Sequence, residues 1–317
     1  MQHTLAGYGV MFHDFCSVKS KSYADSITVD EFSKVITQLR QTANICDPLE
    51  FVAKAESRRL SNRDIVLTFD DGLASQFYIA LPVLEAAGLK AFFFIYTPKQ
   101  EQSIDTLQIA KSLARDHFED TESFYSAFRA CSAQVLGSQI LVAYESSEAG
   151  SYRQHQLFYT ENDRRFRFVR DVCMTKSQWT EVLSCIASQC NLRLEDIGGR
   201  KLMSDAEISY LNARGHEIGL HSTSHPTNLK DLPVDEIEYE WGTNLNILRS
   251  IVSTDLIAAS HPCGSYSNES LRILSGLGIR IGFVNHSGDL EHDNYPNLRV
   301  SRVNSRDLLS DQSFLSR

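Results

Sequence analysis

Residues 65–72 have the sequence IVLTFDDG, a short apolar run followed by two aspartates and a glycine. A short apolar run with polar residues on both sides predicts a buried strand, and this strand ends in adjacent carboxylates. Two like charges side by side are costly unless a cation lies near them, and a divalent metal ion would supply that cation. Asp and Gly are also ordinary turn residues, so this stretch alone fits a metal site and a plain polar turn equally well.

A pair of histidines follows a second apolar run. Residues 217–226 have the sequence EIGLHSTSHP, in which His221 and His225 are four positions apart. This spacing places both imidazoles on one side of a single helical turn, from which both could reach one ion. A third apolar run, residues 256–260, leads into HPCG at 261–264. Because strand ends converge on one face of an α/β barrel, we expect the three segments to meet there.

These segments resemble the motifs of a known family, the polysaccharide deacetylases of the NodB-homology type (carbohydrate esterase family 4). Thr68-Phe69-Asp70-Asp71-Gly72 is similar to its first motif, and His221-Ser222-Thr223-Ser224-His225 is similar to its His-Ser/Thr-x-x-His second motif. Pro262-Cys263-Gly264 resembles the third motif, Pro-Tyr-Gly, with cysteine at the aromatic position. The first two motifs are specific as a pair and in this order.

The resemblance implies a role for each of these residues. It makes Asp71, His221 and His225 the metal ligands and Asp70 the general base, an assignment of the two acids that the sequence alone does not provide. In the family the oxyanion is stabilised by the metal and by the backbone N–H between Pro and Gly of the third motif, which here belongs to Cys263. We do not interpret Cys263 as a nucleophile, because no activating base is evident.

The donor set itself is typical of a catalytic metal site. One carboxylate and two imidazoles leave a divalent ion with open positions for water and substrate. Zinc is the favoured metal, and Co²⁺, Ni²⁺ and Mn²⁺ are alternatives, since an Asp-His-His set suits several first-row ions.

The chain departs from the family pattern in two places. The third motif often begins with an Arg, where this chain has Ser260, and Arg302 in the last predicted strand resembles the Arg of a subset of the family and would supply the missing cation. The late Leu-x-x-His motif, which carries the general acid, is not found. His286 at a strand end is the substitute candidate, and an ordinary loop histidine is the alternative. His13 and Asp14 follow the first predicted strand, where we favour a plain polar loop although many family members place a histidine there.

The order of predicted elements indicates an α/β fold. Residues 65–96 give strand, helix and strand, which predicts a βαβ unit and a parallel sheet. About seven such strands predict a distorted (β/α)7 TIM-like barrel formed by residues 1–97 and 200–317, with a helical insertion after an early strand. Residues 98–199 should form this inserted helical lid or subdomain bordering the substrate pocket. Within it, the charged run 163–171 predicts a solvated helix face, with a sugar, phosphate or lipid-headgroup contact as the alternative.

Composition bears on partners and compartment. A net charge of −9 over 317 residues argues against nucleic acid or an anionic membrane surface as the main partner. The chain has no apolar run of transmembrane length, and its first residues lack the features of a secretory signal, so we expect a soluble cytoplasmic protein. Seven cysteines without Cys-x-x-Cys spacing predict reduced, mostly structural thiols.

The expected function is that of a metal-dependent de-N-acetylase acting on the acetamido group of an N-acetylated sugar. The substrate would be a surface polysaccharide or its precursor, and a cytoplasmic location would favour a nucleotide- or lipid-linked precursor. One alternative is a hydrolase of another amide or imide C–N bond on a related barrel. The other is a glycan-binding protein with a degenerate site.

Overall fold

Seven parallel strands close into a barrel in the computed structural model of the chain, which describes residues 7–16, 26–98, 106–154, 159–197, 202–285 and 294–310. In these ranges the strands are β1 (Tyr8–Phe12), β2 (Phe15–Cys16), β3 (Ile27–Thr28), β4 (Asn44–Ile45), β5 (Asp64–Phe69), β6 (Phe92–Ile95), β7 (Glu217–Leu220), β8 (Ala258–Ser260), β9 (Ile281–Val284) and β10 (Val300–Asn304). Neighbouring strands pair in the order β1, β10, β9, β8, β7, β6, β5, and β5 pairs again with β1. The predicted seven-stranded barrel is confirmed; β4 extends the sheet from β5, and β2 pairs only with β3.

Helices alternate with the barrel strands. They are α1 (Val29–Thr42), α2 (Pro48–Glu56), α3 (Leu81–Ala87), α10 (Asp205–Ala213), α11 (Val234–Ile251), α12 (Asn268–Gly276) and α13 (Ser305–Ser310), and residues 106–189 contain α4 to α9. Short 3-10 turns occupy Leu194–Asp196, Leu229–Asp231, Pro262–Gly264 and Pro296–Arg299, and a π-helical turn occupies Gln76–Ala80. Among the helices in the described ranges, none has both the length and the apolar character that crossing a bilayer requires.

Helix α1 shows how local sequence fixes an element of the barrel. Thr28 caps its first turn by accepting the Glu31 N–H, and Glu31 accepts the Thr28 N–H in return. Phe32 and Leu39 lie on the buried face of the helix, at the spacing that predicts an amphipathic helix packed on a sheet. Thr28, and not Asp30, is therefore the N-cap of α1.

Phenylalanines of β6 belong to the protein core. Phe92, Phe93 and Phe94 are fully buried. Phe93 stacks on Phe69 with ring centroids 4.7 Å apart, whereas Phe92 and Phe94 pack against Phe283 on the other face of the sheet. The alternation follows the two-residue period of a strand. The phenylalanine run of β6 is therefore core on both faces of the sheet.

The described residues between 106 and 197 belong to a second structural unit, which has a core of its own. Its helices are α4 (Thr106–His117), α5 (Thr121–Leu136), α6 (Gln139–Tyr144), α7 (Ser147–Ser151), α8 (Glu161–Val172) and α9 (Lys176–Gln189). Phe128, Phe166 and Trp179 meet edge to face at 4.8–6.0 Å in the centre of this unit. The role of the unit as a lid stays a prediction.

The charged run of α8 is not a solvated helix face, so that interpretation was wrong. Asp163 and Arg167 are buried at 4% and 8% exposure. Asp163 accepts hydrogen bonds from the Tyr125 hydroxyl and the Thr160 backbone, and the Asp171 carboxylate pairs with Arg170 at 2.6 Å. Charged side chains at helical spacing can contact other protein groups or face solvent. Their spacing in the sequence is the same in both situations, so it does not distinguish them.

One cysteine pair also corrects the sequence-based expectation. Cys131 of α5 and Cys185 of α9 form a disulfide with their Cα atoms 5.8 Å apart. The prediction of reduced thiols is therefore wrong for this pair. A separation of 54 residues gives no local pattern, because the two sulfurs meet only when α5 packs along α9.

Buried His216, just before β7, should make the stability of the protein depend on pH. Its Nδ1 accepts the Ala91 N–H, and burial, helped by Lys90, lowers its pKa to about 4. In the unfolded chain His216 binds a proton with a pKa near 6.5, whereas in the folded chain it stays neutral until the pH approaches 4. The free energy of unfolding therefore falls as the pH drops from 7 towards 4. We expect His216→Asn to remove about 2 kcal/mol of the loss between pH 7 and pH 5, measured by urea unfolding. A difference between the two proteins that is the same at both pH values would contradict this.

Candidate metal centre

Three side chains from two strand ends converge on one point. Asp71 follows β5, and His221 and His225 follow β7. The Asp71 Oδ1 lies 3.5 Å from the Nε2 atom of each histidine, and one ligand atom from each of the three residues lies within 4.8 Å of the others. Ligand atoms about 2.1 Å from a tetrahedral ion are separated by about 3.4 Å. The donor set and its spacing therefore fit a divalent ion.

The backbone around these ligands is strained. Asp71 (φ 76°), Ser222 (φ 66°) and His225 (φ 54°) are in the left-handed region, where a non-glycine residue costs on the order of 1–3 kcal/mol. The expectation that both imidazoles lie along a helical turn is wrong: residues 221–225 form an irregular loop that turns back at Ser222 and again at His225. The i, i+4 spacing still brings the imidazoles together, but through this loop.

Polar contacts fix the orientation of His221. Its Nδ1 lies 2.8 Å from the Ser260 carbonyl oxygen, and only a protonated Nδ1 can donate there, so Nε2 is the nitrogen that faces Asp71. The His221 N–H donates to the Asn244 side chain at 3.0 Å, and the Asn244 amide donates to the Ile95 carbonyl at 3.0 Å. Strand β8 thus holds the imidazole, whereas helix α11, itself bonded to β6, holds the backbone of His221.

Asp70 lies against a buried arginine. Arg302 of β10 donates from Nη1 and Nη2 to the two Asp70 carboxylate oxygens, each at 2.7 Å. The Ser260 hydroxyl donates to Asp70 Oδ2 at 3.1 Å, and Arg302 also donates to Asn285 Oδ1 at 3.0 Å. The structure thus places Arg302 beside the serine that stands where the family often has its Arg. Asp70 Oδ2 is 3.9 Å from the His221 Nε2, next to the three converging ligands.

The pKa shifts follow from these contacts. Burial alone would raise the pKa of Asp70, but the charges of Arg302 and His221 lower it to about 2, so the group is a carboxylate. Burial would lower the pKa of His221, and the Asp70 and Asp71 carboxylates outweigh it and raise that pKa. The surroundings of His221 therefore favour positive charge, which a bound cation provides.

Three further residues were considered from the sequence as candidates for the site, namely Cys263, His286 and His13. Cys263 lies in the turn after β8 with φ 54°, at the same end of the barrel as Ser260, and is partly exposed. His286 lies outside the described residues. His13, interpreted from the sequence as a plain loop residue, follows β1, and its charge is among those that lower the pKa of Asp70. The only sequence signal for His13 was its position after the first strand.

Known proteins resemble this chain in sequence or in fold. The family model described as polysaccharide deacetylase matches residues 57–120 and 189–282, which include both aspartates and both histidines. The Streptococcus pyogenes deacetylase PplD in complex with acetate is 13% identical, with a TM-score of 0.54 over 96% of each chain. IcaB from Ammonifex degensii is 16% identical, with a TM-score of 0.51 over 93% of this chain and 91% of its own.

A de-N-acetylase from Aggregatibacter actinomycetemcomitans has 11% identity and a TM-score of 0.53 over 98% of this chain and 99% of its own. At such identities the structural likeness shows the fold, and no curated protein matches the sequence. The family match covers the motif residues that the barrel brings together at its strand ends. The chain therefore belongs to the polysaccharide deacetylase family.

Proposed function

We propose that the protein is a metal-dependent de-N-acetylase that hydrolyses the acetamido group of an N-acetylated sugar, in a polysaccharide or its nucleotide- or lipid-linked precursor. The observation that carries this proposal is the convergence of Asp71, His221 and His225 beside the ionised Asp70. Family membership supports the reaction class. The residue roles given below are supported by the charge of Asp70, by the spacing of the three ligands and by the hydrogen bonds that hold those ligands.

Asp71, His221 and His225 would hold the divalent ion, for which zinc is favoured and cobalt, nickel and manganese are alternatives. When bound, such an ion polarises a carbonyl and acidifies water. The chain's own part is to orient the imidazoles. The Ser260 carbonyl does this for His221 by accepting its Nδ1–H.

Asp70 is the proposed general base, because it is ionised and lies next to the ligands without being one of them. Arg302 holds both of its oxygens, so the carboxylate cannot rotate away from the site. The same arginine makes Asp70 a weak base, since a carboxylate with a pKa of about 2 takes a proton only from an acidified donor. Arg302 therefore fixes the orientation of the Asp70 carboxylate and at the same time lowers its base strength.

The reaction also needs an oxyanion donor and a proton for the leaving amine. The backbone N–H of Cys263 is the proposed donor, and the left-handed turn at Cys263 and Gly264 sets its direction. For the proton, His13 is one proposed donor, because it follows β1 and contributes to the lowered pKa of Asp70. His286, predicted from the sequence, is the other proposed donor.

Removing one ligand should release the metal. We expect His225→Ala to lower zinc affinity by more than the roughly 10–100-fold that loss of an outer partner costs, because one of three protein ligands is gone. The measurement is metal content after dialysis, followed by competition with a chromogenic chelator. His117→Ala is the matched control, since His117 is an exposed histidine of α4. Equal zinc affinity in His225→Ala and the native protein would refute the assigned ligand set.

The test of the proposed function is an acetate-release screen. Purified protein is analysed for metals, stripped, and reconstituted separately with Zn²⁺, Co²⁺, Ni²⁺ and Mn²⁺. Each form is then assayed on N-acetylglucosamine oligomers and on cyclic ureides and imides. We expect acetate from the sugar oligomers only. Turnover of the cyclic amides alone would assign a different C–N hydrolase, and oligomer binding without any turnover would assign a glycan-binding protein.

A further inference from the structure

The carboxylate of Glu240 on α11 lies against the loop that joins the two histidine ligands. Its Oε2 accepts the N–H groups of Thr223 at 2.9 Å and Ser224 at 2.8 Å, and its Oε1 accepts the Ser224 hydroxyl at 2.6 Å. The Thr223 hydroxyl adds a bond to the Glu240 carbonyl at 3.0 Å. Glu240 is only 7% exposed, so these bonds form away from water. Hydrogen bonds to a buried carboxylate are stronger than bonds between neutral groups.

These contacts act on a strained segment. Residues on both sides of Thr223 and Ser224, namely Ser222 and His225, have positive φ angles of 66° and 54°. Such a conformation persists only when surrounding contacts over-determine it. Within the loop, the bond from the His225 N–H to the Ser222 hydroxyl at 3.1 Å is local and weak compared with the charged contacts of Glu240.

The two histidines are held by different groups. His221 is fixed from outside the loop by Ser260 and Asn244, at 2.8 and 3.0 Å. The contacts of Glu240 with the loop all lie after His221, on the two residues that lead to His225. We propose that Glu240 is the positioning residue for His225, holding the loop so that its imidazole meets Asp71. This inference rests on the proposed metal site, and none of the known motifs includes Glu240.

Three variants test the inference through metal binding. Glu240→Leu removes every side-chain acceptor, and we expect Co²⁺ affinity to fall about 10–100-fold, the usual cost of losing an outer-shell partner. Glu240→Gln keeps the contacts, because its amide oxygen can accept both N–H groups and its NH₂ can donate to the Ser224 hydroxyl, so affinity should stay within about threefold. Glu236→Ala, at an exposed glutamate of the same helix, is the control and should match the native protein.

The readouts are the visible absorption of Co²⁺ during titration and the melting temperature of the metal-free proteins. If Glu240→Leu binds Co²⁺ as tightly as the native protein does, the positioning role of Glu240 is refuted. If the native protein itself does not bind Co²⁺, the proposed metal site is refuted as well. If Glu240→Leu does not fold, Ser224→Ala decides, because it removes only the hydroxyl contact. A fall in affinity of about two- to fivefold in Ser224→Ala supports the role, and an unchanged affinity refutes it.

Discussion

Asp70→Asn is expected to abolish acetate release while the protein keeps its metal. An amide cannot accept the proton, and loss of a general base costs about 10²–10⁴ in kcat. The metal should stay because its three proposed ligands are untouched. The introduced amide oxygen can still accept one bond from Arg302, so the protein should fold.

Turnover, metal content and urea unfolding are measured together on Asp70→Asn. Asp235→Asn, at an exposed aspartate in the first turn of α11, is the control. More than a tenth of native turnover in Asp70→Asn would remove Asp70 as the base. Loss of metal would instead make Asp70 a ligand. The sequence could not separate the two acids, and the structure favours the proposed assignment, because both Asp70 oxygens bind Arg302 while Asp71 faces both imidazoles.

The barrel and the meeting of its motifs could be predicted from the sequence because they depend on local patterns and one general rule. Strand β5 contains the apolar run that precedes the two aspartates. Parallel strands of a barrel present their carboxyl ends on one face. Asp71 and His221 therefore had to meet once both were recognised as following strands.

Contacts between distant segments could not be predicted in the same way. The Asp70–Arg302 pair spans 232 residues, and Glu240 reaches the histidine loop from a helix whose pattern shows only its buried face. Backbone strain is equally invisible, because nothing in the sequence HSTSH marks Ser222 and His225 as left-handed. Such features depend on the packed structure, whereas periodicity describes one element at a time.

The second large effect is expected for Arg302→Leu. The Arg302 side chain is fully buried and Asp70 is 3% exposed, so removing the guanidinium leaves a buried carboxylate without its counter-ion. Breaking one partner of a buried ion pair destabilises a protein by about 3–5 kcal/mol. We expect this loss in the free energy of unfolding of the metal-free protein, measured in urea with a chelator present so that metal binding does not mask it.

The loss of packing around Arg302 could lower the free energy of unfolding by a similar amount. A double variant separates this cause from the unpaired Asp70 carboxylate. If the unpaired carboxylate is the cause, Arg302→Leu combined with Asp70→Asn should be more stable than Arg302→Leu alone, since the neutral amide needs no counter-ion. If packing is the cause, the second substitution should not help. The double variant should have no turnover in either case.

Arg302→Lys separates the effect of charge from that of geometry, because lysine keeps the positive charge but cannot make the bidentate hydrogen bonds of arginine. The stem of Arg302 passes over Gly9 of β1, where an added Cβ would lie 2.8 Å from the Arg302 Cγ, so only a glycine admits it. We expect Arg302→Lys to restore most of the stability lost in Arg302→Leu but little of the turnover, since one ammonium cannot fix both Asp70 oxygens. Full turnover in Arg302→Lys would show that the charge of Arg302 suffices and that the orientation of Asp70 does not limit the reaction.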